Sequence, residues 1–210
     1  MPPQLPSRLH VALYRPAVAG NVGTILRTSV GFGAVVHIVG PHSLDVERDA
    51  GVLRAAVGYR SKGDADGAAP RVVVYADVAD FARRTGRLFG PEVGGRVVAL
   101  SKAGKHGAEC LSRVRLWQHE SDEAAGAVTA LCLVLGNESS GLDGVPAAIL
   151  AGWRGVSVPM SAEQWGGVAC RTMPTPLRCY NVAVTAGIAL WEAERQWHAL
   201  QPRLAKWQPQ

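Results

Sequence analysis

The chain has 210 residues, 48% of them hydrophobic, which is enough for one globular domain with a sizeable core and too little for a second full one. Lys and Arg number 22 against 17 Asp and Glu, and the resulting formal charge of +5 is compatible with a polyanionic partner without demanding one. The longest strongly apolar run, Thr129 to Leu135, falls far short of the ~20 residues a membrane span needs, so no membrane association is expected.

The Pro-rich opening, Met1 to Arg8, lacks the charged and apolar regions of a secretory leader, which points to a cytoplasmic protein and leaves an organellar address open. Cys110, Cys132, Cys170 and Cys179 form no C-x-x-C pair, and the six histidines show no i, i+4 pairing, so no metal site is expected. Each histidine reads as a surface residue or a satisfied core residue rather than a ligand.

In chain order, Leu9–Tyr14 alternates apolar and more polar positions and reads as a first strand, followed by a helix near residues 21–32. Valine-rich runs at 34–39, 71–75, 96–100 and 129–135 give four more strands, and Gly155–Val158, bounded by glycine and proline, gives a sixth. Helical segments are expected near 45–57, 77–86, 142–151 and 178–199. Strands alternating with helices predict an α/β protein with a mostly parallel sheet and helices on both faces. Ser61–Pro70 and Ala103–Gly126 read as surface loops, with Val114–Trp117 a candidate edge strand inside the second. The expected organisation is a single domain over residues 1–200, an insert at 161–177, and a flexible tail over 201–210 with fraying from His198 onward.

Three segments far apart in sequence place polar residues where a strand gives way to a loop or helix. The first is Pro16-Ala-Val-Ala-Gly-Asn21-Val-Gly23-Thr-Ile-Leu-Arg27-Thr28. Ligands of open α/β sheets collect at the carboxyl ends of strands, which is where Asn21 and Arg27 fall. Taken singly, Asn21 reads as a helix cap and Arg27 as a solvated helix residue. The second segment, Val134-Leu-Gly136-Asn137-Glu138-Ser-Ser-Gly141-Leu142, ends an apolar strand. Gly136 permits close approach to the backbone, and Glu138 is placed to fix the loop or a nearby arginine. The third is Val156-Ser-Val158-Pro159-Met160, resumed at Arg178-Cys179-Tyr180-Asn181-Val-Ala-Val184, where Asn181 is equally suited to cap the last helix.

In order and content these segments resemble the three motifs of the SpoU branch of the SPOUT RNA methyltransferases, over about Leu9 to Arg195. Arg54-Ala55 and Tyr59 further resemble the wobble-position tRNA (cytidine/uridine-2′-O)-methyltransferases, with Gly58 where those carry Asp. The resemblance implies transfer of a methyl group from S-adenosyl-L-methionine to a ribose 2′-hydroxyl of RNA, most naturally tRNA. Methylation of rRNA is one alternative, and a non-catalytic RNA-binding protein that keeps the fold is another. It implies a C-terminal trefoil knot, a homodimer, and catalytic roles for Asn21, Arg27, Glu138 and Asn181. It places the cofactor on Leu100, Gly136, Val158, Met160 and Cys179. Two departures stand out: the insert between Ser161 and Leu177, with its Trp165, Gly166, Gly167, Pro174 and Pro176, and Cys179 where relatives usually carry Ser.

The implied chemistry suits the residues. A ribose hydroxyl is a poor nucleophile until its developing charge is stabilised, and a planar guanidinium such as that of Arg27 can do this while holding an adjacent phosphate. Arginine stays protonated in ordinary surroundings, so positioning is a sounder role for it than proton abstraction. Neither G-x-G-x-x-G nor a Walker A segment is present, which removes the main mark of Rossmann-type and P-loop readings. Val184, Ile188 and Trp191 form an apolar stripe on the last helix, a pattern that serves an intrachain core or an interface between copies.

Overall fold

The two central strands explain themselves by composition: β1 (Leu9–Tyr14) is buried along its whole length, and β6 (Ala130–Leu135) at every position except its first. A parallel strand covered by helices on both faces needs a nearly continuous apolar run, and Ala-Leu-Cys-Leu-Val-Leu supplies it. The computed structural model describes residues 7–41, 71–89, 94–102, 105–117, 128–159 and 179–204, together with Leu44, Asp49 and Val52. Around β1 and β6 lie β2 (Val35–Val39), β3 (Val72–Tyr75), β4 (Gly95–Leu100), β5 (Glu109–Cys110) and β7 (Arg154–Ser157), in one 7-stranded sheet of order β3-β2-β1-β6-β4-β7-β5. Every pairing is parallel.

Helices α1 (Ala19–Gly31) and α4 (Val182–Leu204) pack on one face, where Val22, Ile25, Ala186, Ala189 and Leu190 meet Val11, Leu13, Leu131, Leu133 and Leu135. On the other face, α2 (Val78–Phe89) and the short α3 (Ala147–Leu150) cover Ala12, Cys132 and Val134, with Phe81 and Phe89 as the large side chains. The α/β architecture with a parallel sheet and helices on both faces is thus the one expected. Of the helix expected near 45–57 only Asp49 and Val52 are described, and the insert at 161–177 falls on residues outside those described. So does part of the chain between β7 and α4 that a C-terminal knot would involve.

Three expectations change. The edge strand is Glu109–Cys110, not Val114–Trp117. Leu116 and Trp117 are instead fully buried core: the Leu116 N–H donates to Gln196 Oε1 at 2.8 Å and the Trp117 indole N–H to the Ala193 carbonyl at 2.6 Å, so this segment clamps α4 and joins no ladder. The helix expected over 142–151 shrinks to 147–150, because Gly144 at φ 95° and Pro146 hold the chain in turns until then. α4 runs on to Leu204, past His198, where fraying was expected.

The alternation read in β1 has a different cause from the usual one. His10 is 5% exposed and His37 is 2% exposed, and they form a buried polar chain with Tyr75. The Ser7 carbonyl can only accept, so His10 Nε2 carries a proton toward it at 2.8 Å and His10 Nδ1 must accept from His37 Nε2 at 2.9 Å. The Tyr75 hydroxyl then donates to His37 Nδ1 at 2.9 Å. Burial, reinforced by the neighbouring His10 and Arg84, pushes the His37 imidazole down to about 3, and burial lowers His10 as well. Both rings stay neutral, with every nitrogen paired.

Candidate active site

The strand order reverses direction at β1, β6 and β4, and a crevice opens there at their carboxyl ends. Its floor is the loop after β6. Gly136 has no room for a side chain: a Cβ would lie 2.2 Å from the Gly141 carbonyl carbon. Asn137 and Gly141 exchange both backbone hydrogen bonds at 2.8 Å, and Gly141, at φ 63°, turns the chain back on itself. The loop's own backbone therefore approaches closely enough to require glycine at 136. Asn137 completes the loop, its Oδ1 accepting from the Ser139 and Ser140 N–H groups and its Nδ2 donating to the Arg15 carbonyl at 2.6 Å. That last bond ties the loop to the end of β1.

Glu138 bridges to the next segment. Its carboxylate accepts from the N–H groups of Ala17 at 3.0 Å and Val18 at 3.2 Å, just ahead of α1, and from Asn21 Nδ2 at 3.1 Å. No side chain caps α1 at Val18, so the Glu138 carboxylate does this work at the positive end of the helix. Asn21 lies inside the first turn of α1 and is not its cap. With its Nδ2 donating to Glu138, its Oδ1 is left to accept from Asn181 Nδ2 at 3.0 Å. Asn181 Oδ1 in turn accepts from the Ala183 N–H at 2.8 Å and caps α4. Asn181 thus caps α4 with its amide oxygen while its amide nitrogen reaches Asn21. A carboxylate that only accepts sets every direction along the line Glu138–Asn21–Asn181.

These residues border a cavity of about 550 Å³, a size suited to a cofactor or drug-sized ligand. Leu100, Leu135 and Leu142 give it apolar wall, Gly136 and Cys179 give it backbone, and Asn21, Glu138 and Asn181 stand along one side. The cavity is also lined by Lys102, by Lys105 and His106 from the stretch read as a surface loop, and by Asp143. Lys105 Nζ stands 3.4 Å from an Asp143 carboxylate oxygen. His106, at φ 53°, presses its carbonyl against β7, where a Cβ on Gly155 would lie 2.6 Å from that oxygen. Ser101-Lys102 directly after an apolar strand was the available signal for this wall.

Other expected residues stand apart. Arg27 is exposed on α1 and does not line the cavity of its own chain. Val158 is half-buried and packs against the core on the α1 and α4 side of the sheet. Met160, Arg178, Arg54 and Tyr59 lie outside the described residues. Among the described residues, no group of three or more His, Cys, Asp or Glu could hold a metal ion, and no helix is long and apolar enough to cross a membrane.

The sequence profile of the SpoU rRNA methylase family matches residues 8–165. The chain belongs to that family. Among curated protein sequences no match is found. Solved structures share the SpoU chain's fold over nearly its whole length. One, concerned with 2′-OH methylation of C/U34 on tRNA, is 25% identical with a TM-score of 0.62, covering 91% of this chain and 97% of that one. An AdoMet-bound rRNA methyltransferase from Sinorhizobium meliloti is 25% identical with a TM-score of 0.58, the match spanning 91% of this chain and 57% of that one. The SpoU methyltransferase AviRb from Streptomyces viridochromogenes, in complex with AdoMet, is 21% identical with a TM-score of 0.59 and covers 91% of this chain and 59% of its own.

Proposed function

We propose that this protein transfers the methyl group of S-adenosyl-L-methionine to a ribose 2′-hydroxyl of RNA. The observation that carries the proposal is the hydrogen-bonded line Glu138–Asn21–Asn181, which joins all three motif segments of the family at the rim of one cavity. When bound, the cofactor supplies a methyl group on a sulfonium centre. The backbone at Leu100, Gly136 and Cys179 would hold it, with Val158 and Met160 expected beyond, while Leu100, Leu135 and Leu142 give apolar contact. Asn21 and Asn181 present amides of fixed orientation at the same rim, suited to aligning a ribose. The Arg27 guanidinium orients an RNA phosphate and stabilises the oxyanion that develops as the hydroxyl proton leaves to solvent or phosphate.

Arg27 stands outside the cavity of its own chain, the arrangement expected of a homodimer in which each site takes residues from both copies. Of the apolar stripe on α4, Ile188 packs partly against the core, whereas Val184 at 50% exposed and Trp191 at 58% exposed stay uncovered and support this reading. Within RNA, tRNA is favoured, and the wobble nucleotide in particular, because the match to the C/U34 tRNA methylation structure spans both chains almost end to end. The family's own description favours rRNA as the second reading.

The test is incubation with labelled S-adenosylmethionine and either tRNA or rRNA, followed by nuclease digestion and mass spectrometry of the nucleosides. A 2′-O-methylated pyrimidine from tRNA position 34 is the expected product. Label in rRNA alone selects the second reading, and label in neither RNA contradicts methyl transfer. Arg27→Ala should retain cofactor affinity while transfer falls on the order of 10³-fold, and unchanged transfer would remove Arg27 from the mechanism.

A further inference from the structure

We infer that Lys105 and Asp143 form the receptor for the zwitterionic amino-acid end of the cofactor, an assignment that rests on the methyl-transfer reading above. The two groups reach into the cavity from different loops, Lys105 from the one between β4 and β5, Asp143 from the turn between β6 and α3. Each backbone is pinned: the Lys105 N–H donates to the Lys102 carbonyl at 3.1 Å and the Asp143 N–H to the Ser140 carbonyl at 3.1 Å.

What marks this pair in the cavity wall is that two opposite charges stand side by side, each with capacity to spare. The Glu138 carboxylate already accepts from Ala17, Val18 and Asn21, and Asn21 and Asn181 each keep only the second N–H of the amide for a ligand. Lys105 and Asp143 meet at 3.4 and 3.5 Å with side chains 53% and 57% exposed, a loose contact of the kind worth ~0–1 kcal/mol. An ammonium offers three donors and a carboxylate about four acceptor sites, so most of each is free for a ligand.

The charge pattern selects the class of ligand. A group carrying a carboxylate and an ammonium on one carbon can replace the single loose pair by two, carboxylate to Lys105 and ammonium to Asp143, at little cost in opening the pair. A phosphodiester would gain from Lys105 and Lys102 but meet the Asp143 carboxylate as a like charge. The apolar wall of Leu100, Leu135 and Leu142 leaves the remainder of the cavity for the nucleoside end.

The experiment compares two ligands by calorimetric titration of the full chain: S-adenosylhomocysteine, which has the amino-acid end, and 5′-methylthioadenosine, which lacks it. Lys105→Ala and Asp143→Asn should each weaken S-adenosylhomocysteine roughly tenfold and leave methylthioadenosine unchanged, its retained binding also reporting an intact fold. The assignment is overturned if both variants bind S-adenosylhomocysteine like wild type, or if the two ligands weaken alike. Unchanged cofactor affinity with a raised KM for RNA would overturn it in favour of phosphate contact. Failure of wild type to bind S-adenosylhomocysteine would instead bring down the methyl-transfer reading, and this assignment with it.

Discussion

Two polar networks sit on the same sheet and differ in what they leave open. The buried chain Ser7–His10–His37–Tyr75 is closed, with each nitrogen and hydroxyl paired, both rings neutral and aromatic neighbours Phe81 and Phe89 sealing it. The line Glu138–Asn21–Asn181 at the carboxyl ends of the strands borders a cavity and is flanked by the loosely paired Lys105 and Asp143. A closed network specifies a fold, because any change strands a buried partner. An open one can exchange its partners for those of a ligand. Titratable residues alone do not mark the site, since among the described histidines the most strongly shifted lies in the closed network.

The sharpest way to break the comparison is Glu138→Ala. It removes the acceptor shared by Ala17, Val18 and Asn21, and methyl transfer should fall on the order of 10²-fold, whereas stability, with these donors partly open to water, should fall by only about 1 kcal/mol. Equal losses of both would make the site network a mere fold element. Gly136→Ala drives a Cβ into the Gly141 backbone, and denaturant unfolding should show a loss of about 1–3 kcal/mol together with weakened cofactor binding in titration.

The closed chain should behave in the opposite way. His37→Phe leaves the Tyr75 hydroxyl and His10 Nδ1 unpaired, so stability should drop by about 1–3 kcal/mol while the affinity for S-adenosylhomocysteine stays as in wild type. The same chain sets an acid limit. His37 is held near 3 in the fold against an ordinary 6.5, so the unfolded chain binds its proton first. Its contribution is full above pH 6.5 and is lost as pH falls from there toward about 3, amounting to about 2 kcal/mol by pH 5. Urea midpoints measured between pH 7 and 5 check this, and the fall should be shallower in His37→Phe. The smallest effect expected is that of Cys179→Ser. The side chain is exposed, and a hydroxyl in place of the thiol should change cofactor affinity less than about threefold.

Much of this was legible in the sequence, for physical reasons that differ by element. The central strands β1 and β6 announce themselves by apolar runs, because burial on both faces leaves no polar choice. Asn21, Glu138 and Asn181 were nameable from their segments, but the partners were not: which amide faces which carboxylate depends on parallel pairing between strands 120 residues apart in the chain, as between Leu13 and Leu135. Lys105 and His106 were missed as cavity lining because they lie in a glycine-containing stretch with the composition of an ordinary loop. Trp117 was misassigned because a short run of Val, Leu and Trp fits an edge strand as well as a core clamp, and only the Ala193 carbonyl across the fold decides between them. Buried histidines are equally opaque, since His10 and His37 become core only once β1 and β2 pair.

If the open network borders a cofactor cavity, the protein must bind S-adenosylhomocysteine there. The decisive experiment is calorimetric titration of the purified protein with S-adenosylhomocysteine, with and without RNA. Saturable binding in the micromolar range, about −8 kcal/mol, that is abolished or weakened in Gly136→Ala and untouched in His37→Phe is the predicted result. Absence of binding in both conditions, or an equal loss of binding in both variants, would contradict it.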